Sequence, residues 1–100
     1  PPFSRLANVV VWGRSEGDVR SVCDEMAAAV RERVRGSAGW EVLGPADCVK
    51  ARVKDRFRRH LMVKAPAGAD LGALLAPLVA SLPRRAGINI AVDIDAYDLM

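Results

Sequence analysis

Residues 87–95, GINIAVDID, alternate without a break. Ile88, Ile90, Val92 and Ile94 fall on one parity, and Asn89, Ala91, Asp93 and Asp95 on the other. Successive side chains of a strand point to opposite faces, so the segment predicts a strand with one apolar and one polar side. A sheet built from such strands has to be covered on its apolar face and can leave the other face open.

The cover is written in two stretches of helical period. Ser15 precedes Asp18 by three positions, a capping signal for a helix start. Val19, Val22, Cys23, Met26, Val30 and Val34 then recur at three- and four-residue intervals as one apolar stripe. Arg31, Arg33 and Arg35 lie in the last turns, where positive charge suits the helix C-terminus, and Gly36 is a natural stop. A second helix begins at the cap Asp70 and carries Leu71, Leu74, Leu75, Leu78, Val79 and Leu82. Pro77 lies deep enough to kink it, and Pro83 ends it.

Strands fill the rest. RLANVVVWG at 5–13 is a β-branched apolar run ending in glycine. A short strand, WEVLG, follows the turn Gly36-Ser37-Ala38-Gly39 and closes at Gly44-Pro45. A hairpin occupies roughly 48–65, turning near Lys54-Asp55-Arg56. The order is β-α-β-β-α-β: an α+β, ferredoxin-like or split βαβ arrangement, with two helices on one face of a four-stranded antiparallel sheet. At 100 residues and 51% hydrophobic, one domain over residues 1–100 is expected. The start at Pro1-Pro2-Phe3, without a methionine, reads as a piece of a longer protein.

Charge singles out the hairpin. Residues 49–64, VKARVKDRFRRHLMVK, hold seven positive residues and only Asp55 as an acid, a balance of +6. The remainder has eight positive and eleven negative residues, a balance of −3. Like charges facing one another on paired strands are destabilising, so the arrangement calls for solvent or a partner. A mildly acidic body with one concentrated basic element suggests a polyanion. Lys50, Arg52 and Lys54 share one parity, and Arg56 and Arg58 share one on the return strand, which predicts a cationic ribbon on a protruding arm. Four or five phosphate contacts would give roughly micromolar, sequence-independent binding. Phe57, between two arginines, is positioned to stack on an unpaired base. The bland alternative is a solvated basic hairpin in which Phe57 packs locally. Twelve arginines against three lysines, with sixteen alanines, also suggest a GC-rich genome. Such a bias tempers the reading of any single arginine as a ligand.

Other chemistry finds little support. Cys23 and Cys48 lack metal-ligand spacing. Cys23 reads as a small core residue, and a Cys23–Cys48 disulfide stays open. His60 is the only histidine, and no nucleophile–base pair or phosphate-gripping loop can be assembled; Gly13-Arg14-Ser15-Glu16-Gly17 is not one. Asp93 and Asp95 lack a third ligand for a metal. No apolar run reaches membrane-spanning length. Trp12 and Trp40 read as core or interdomain packing.

Four pieces together resemble one family: the opening PPFSRLANVVVWG, LGP at 43–45 followed by a basic hairpin, RFRRHLMVKAP at 56–66, and the closing VDID. Their order and spacing across essentially the whole chain are similar to the C-terminal domain of the primosomal replication-restart helicase, primosomal protein N′ (the PriA family). The resemblance implies a bacterial, cytoplasmic parent that acts as an ATP-dependent 3′-to-5′ DNA helicase in primosome assembly. ATP, magnesium and zinc would belong to that parent, and no cofactor to this domain. It also implies that the domain packs on the helicase core of the same chain and contributes to branched-DNA binding. Arg56, Phe57, Arg58 and His60 match the family's aromatic-Arg strand. Two departures stand out. Asp95 is followed by Ala96 where the family usually has proline. The segment Ala67-Gly68-Ala69-Asp70 also lacks the basic residues through which the family is expected to hold the acidic tail of the single-stranded-DNA-binding protein.

Two readings result. In the first, the chain is a non-enzymatic DNA-binding accessory domain, with Lys50, Arg52, Lys54, Arg56, Phe57, Arg58, Arg59 and His60 contacting forked or single-stranded DNA. In the second, it is a protein-docking module whose open sheet face (Asn8, Val10, Trp12, Met62, Ala91) is covered by the helicase core or a replication partner. Ribosome-like RNA binding shares the fold and the basic loop.

Overall fold

The computed structural model describes residues 5–82 and 85–95. The expectations attached to Pro1-Pro2-Phe3, Pro83 and Ala96 lie outside the described residues. Six elements follow in the order read from the sequence: β1 (Arg5–Gly13), α1 (Glu16–Val34), β2 (Glu41–Val53), β3 (Arg56–Ala65), α2 (Leu71–Ser81) and β4 (Ile88–Ile94). The strands form one sheet in the order β2-β3-β1-β4, and every neighbouring pair is antiparallel. This is the expected α+β architecture. Among the described residues, no helix is long and apolar enough to cross a membrane.

Both helices begin where side-chain caps are available. Ser15 Oγ accepts from the Asp18 N–H at 3.2 Å, and Asp70 Oδ1 accepts from the Ala73 N–H at 3.0 Å. Each bond satisfies one of the backbone donors that a helix start leaves open. Pro77 lies inside α2, which continues through it to Ser81.

One face of the sheet supplies the core. Ala7, Val9 and Val11 of β1 and Leu61, Val63 and Ala65 of β3 are fully buried against Val19, Val22, Cys23, Met26, Ala27 and Val30 of α1 and Leu71 and Leu75 of α2. Ile88, Ile90 and Ile94 of β4 pack at the margin, as does Trp40. Burial of Met26, Leu61, Leu71 and Leu75 contributes roughly 1.5–3 kcal/mol per side chain. The odd-numbered residues of β1 and β3 therefore face the helices, and the even-numbered ones face away.

The second strand differs from expectation. It does not close at Gly44-Pro45 but runs unbroken to Val53, so the short strand and the outgoing arm of the hairpin are one element. The Gly44-Pro45 bond is cis, Gly44 has φ 96, and the pairing with β3 shifts between Leu43 and Ala46. Proline is tolerated in a sheet at a bulge on an edge strand, and β2 is an edge. Arg31, near the end of α1, donates through Nη2 to the carbonyls of Val42 and Gly44 on either side of the irregularity. Gly44 cannot be replaced freely, because a Cβ there would lie 3.1 Å from the His60 carbonyl oxygen.

A second shift, between Asp47 and Arg52, consumes five residues of β2 against two of β3. The strands then rejoin as Arg52↔Phe57 and Val53↔Arg56 and turn through Lys54 and Asp55, both left-handed at φ 49 and 63. Two residues with positive φ make the primed turn that matches strand twist. The hairpin protrudes only slightly, since β3 stays paired with β1 as far as Gly13↔Phe57.

Candidate nucleic-acid interface

The open face of the sheet carries Leu6, Asn8, Val10 and Trp12 of β1. Opposite them on β3 stand Lys64, Met62, His60 and Arg58, and on β4 Asp93, Ala91 and Asn89 flank Asn8, Val10 and Trp12. Charge on this face is unevenly spread. At one end Lys64 stands opposite Glu41. Beside that end Arg5 makes a bidentate ion pair with Asp95, at 2.8 Å through Nε and 2.7 Å through Nη2. At the hairpin end the cations stand without such balance.

There, Trp12, Arg14, Val53, Lys54, Arg56 and Arg58 line a concavity of about 450 Å³. Three pieces of chain meet in it: the end of β1, the residue just after it, and the turn with the start of β3. Trp12 is half-buried and sits directly opposite Arg58. Among the described residues, no carboxylate forms an ion pair with Arg14, Lys54, Arg56 or Arg58. Four positive side chains held this close without counter-charge repel one another, and a bound polyanion relieves that repulsion.

The other residues singled out in the sequence are placed differently. The two-residue turn pairs Val53 with Arg56 and Arg52 with Phe57, which puts Arg52 on the face opposite to that of Arg56 and Arg58. Arg52 instead lies opposite Phe57, with its guanidinium carbon 5.4 Å from the ring centroid, and pairs with Asp55 at 2.6 Å. Phe57 has the parity of Leu61 and Val63. It is half-buried against the core, on the helix side of the sheet and away from the concavity. Arg59 also faces the helix side. Its side chain is 15% exposed and bonds Asp47 at 2.8 Å, while its Nε is buried without a partner. Lys50 sits in the unpaired stretch of β2 beside the fully exposed Val49. The continuous cationic ribbon expected from the sequence is thus divided, with Arg52 in the ribbon and Arg59 beyond it neutralised by the domain's own carboxylates.

His60 lies on the open face, its Nδ1 2.8 Å from Asn8 Oδ1; the amide oxygen can only accept, so the imidazole N–H donates. Partial burial, and secondarily the charge of Arg58, holds the imidazole below its ordinary pKa, so it is neutral near pH 7. Both cysteines are free. Burial pushes the Cys23 thiol up to about 11 and raises Cys48 as well, so neither is a ready thiolate.

Trp12 and Arg14 are not among the DNA-binding residues expected from the sequence. Parity places Trp12 on the open face, as expected, but gives no sign that cations gather beside it. Arg14 gives no local sign, because its role depends on the β3 hairpin folding back beside it.

Residues 1–97 match the family described as the primosomal protein N C-terminal domain. The chain is 32% identical over 95 residues to the "Probable replication restart protein PriA" of Deinococcus radiodurans, covering 95% of the chain and 10% of that relative. It is 24% identical to the replication restart protein PriA of Rickettsia conorii, over 95% of the chain and 14% of the relative. Against the protein of the same description in Treponema pallidum it is 24% identical, over 100% of the chain and 15% of the relative. The chain thus spans about a seventh or less of the length of these relatives.

Proposed function

The chain belongs to the primosomal protein N C-terminal domain family, and on that footing we propose that it is a DNA-binding accessory domain of a replication-restart helicase. It forms one domain of a longer bacterial, cytoplasmic chain and adds sequence-independent contacts to forked or single-stranded DNA during primosome assembly. The observation that carries this reading is the gathering of Arg14, Lys54, Arg56 and Arg58, free of carboxylates, beside Trp12 on the uncovered sheet face. Ion pairs with phosphates release condensed counterions and do not depend on base sequence. The domain itself contributes no catalysis and needs no cofactor. ATP, magnesium and zinc belong to the parent. The start of α2 offers no basic side chain to the acidic tail of the single-stranded-DNA-binding protein, since Ala67–Ala69 bring no charge and Asp70 caps the helix.

The test is fluorescence anisotropy with a labelled fork. Replacing Arg56 and Arg58 together with alanine removes two phosphate contacts. That should weaken binding about 15- to 30-fold at ~0.15 M salt. The control Arg33→Ala, on the exposed end of α1, should change it less than about twofold. Equal affinities for the double variant and the unaltered chain would remove the open face from DNA binding.

A second reading has its own observation. Leu43 is 44% exposed beside Met62, and Val10 and Ala91 continue an apolar patch across the middle of the same face. Exposed apolar surface of this kind suits contact with the helicase core. The two readings use different parts of one face and are compatible.

A further inference from the structure

The reading above needs only phosphates, yet the concavity has a part that phosphates do not explain. Among the described residues, Trp12 is the one aromatic lining the concavity, and Val53 forms a second apolar wall beside it. An indole kept half-exposed among four cations is poorly used by a site that takes only small anions. It suits a ligand that is flat on one side and negatively charged on the other. At about 450 Å³ the volume falls in the range of roughly 300–1,000 Å³ typical of small-ligand sites. Among the described residues, no carboxylate lines it.

We propose that this concavity seats one unpaired nucleotide, its base stacked on Trp12 and its flanking phosphates held by Arg14, Lys54, Arg56 and Arg58. The inference rests on the DNA-binding reading and narrows it. A base inside a duplex is stacked on both sides and turned away from the backbone cations, so it cannot reach Trp12. An unpaired base can, and stacking tolerates any base because each has a π face. The domain therefore favours single-stranded segments and the single-stranded arms of forks over continuous duplex, without reading sequence. Arg58 stands opposite Trp12, and Lys54 and Arg56 at the hairpin turn and Arg14 directly after β1 line the same concavity. The phosphates next to a single seated nucleotide thus have partners.

The experiment uses the 100-residue chain carrying Trp40→Phe, so that Trp12 alone reports. Two probes of about ten nucleotides are titrated: oligothymidylate, and an abasic deoxyribose-phosphate strand of equal length and charge. Oligothymidylate should quench Trp12 and bind roughly 5- to 100-fold more tightly than the abasic strand. With the strands labelled and followed by anisotropy, Trp12→Ala should bring oligothymidylate affinity down to that of the abasic strand, and Trp12→Phe should retain most of the advantage. Replacing Arg56 and Arg58 with alanine should weaken both probes equally. Equal affinity for the two probes, or an oligothymidylate complex that leaves Trp12 fluorescence unaltered, overturns the nucleotide seat while leaving phosphate binding intact. Absence of binding by either probe overturns the DNA-binding reading as well. Quenching by an acidic peptide as strong as by oligothymidylate overturns it in favour of a peptide site. The Trp12→Phe variant and the fluorescence readout still decide the matter if Trp12→Ala does not fold.

Discussion

Phe57→Ala separates what the charge pattern around this residue suggests from what its position requires. Phe57 is flanked by arginines in sequence, but its ring lies on the helix side of the sheet, between Gly13 on β1 and Arg52 on β2. Complete truncation of a fully buried phenylalanine costs about 3–5 kcal/mol. Phe57 is only half-buried, so roughly half of that, about 2 kcal/mol, is expected. The Arg52 guanidinium above the ring adds about 0.5 kcal/mol at an exposed site. For a chain of this size each kcal/mol lowers Tm by about 4–8 °C, so a fall of roughly 10–20 °C should appear in thermal unfolding followed by circular dichroism. Affinity for single-stranded DNA, measured well below the lowered Tm, should change less than about twofold. A variant with unaltered Tm and a tenfold loss of DNA affinity would place the ring in the binding site and refute the reasoning.

Salt dependence gives a count of the working cations. Four phosphate contacts on single-stranded DNA predict a log–log slope near 2.8, and replacing Arg56 and Arg58 with alanine should bring it to about 1.4. Arg59→Met, by contrast, should leave the slope alone, because Arg59 is spent on Asp47 on the helix side of the sheet. A reduced slope in that variant would contradict its placement. The pH response of stability depends on His60. Its folded pKa is depressed, mainly by burial, so the unfolded chain takes up a proton first as pH falls through the ordinary value near 6.5. Stability should therefore decline on acidification below about 6.5, level off below the folded pKa, and be unaffected above that window. His60→Gln should show a smaller loss of Tm between about pH 7.5 and about pH 5.5, and an identical loss in both chains would exclude His60 as the source.

Periodicity made most of the fold legible, as α1 and β4 show. The stripe from Val19 to Val34 lies in one helix, and the alternation from Ile88 to Ile94 lies in one strand. The interruption at Gly44-Pro45 was less informative, since the same residues that end a strand can also bend one at a sheet edge. What happens between Asp47 and Arg52 could not be read at all. The five-against-two register shift depends on β3, and it decides how Val49 and Lys50 are presented, whereas the two-residue turn alone sets Arg52 opposite Phe57. Phe57 and Arg59 were readable in principle, since they share the parity of Leu61 and Val63, whereas Trp12 was legible on the open face by its parity opposite to Val9 and Val11. Charge density drew attention to the hairpin as a whole, whereas the pleat divides it into two faces with different uses.

The account's central claim concerns place: DNA meets the open sheet face at its hairpin end. Amide chemical-shift mapping of the labelled chain during titration with single-stranded oligonucleotide tests it residue by residue. Shifts concentrated at Trp12, Arg14, Lys54, Arg56 and Arg58, with α1 and α2 silent, are the predicted result. Perturbations gathered instead along the apolar groove between α2 and β4, around Leu75, Val79 and Ile90, would contradict it.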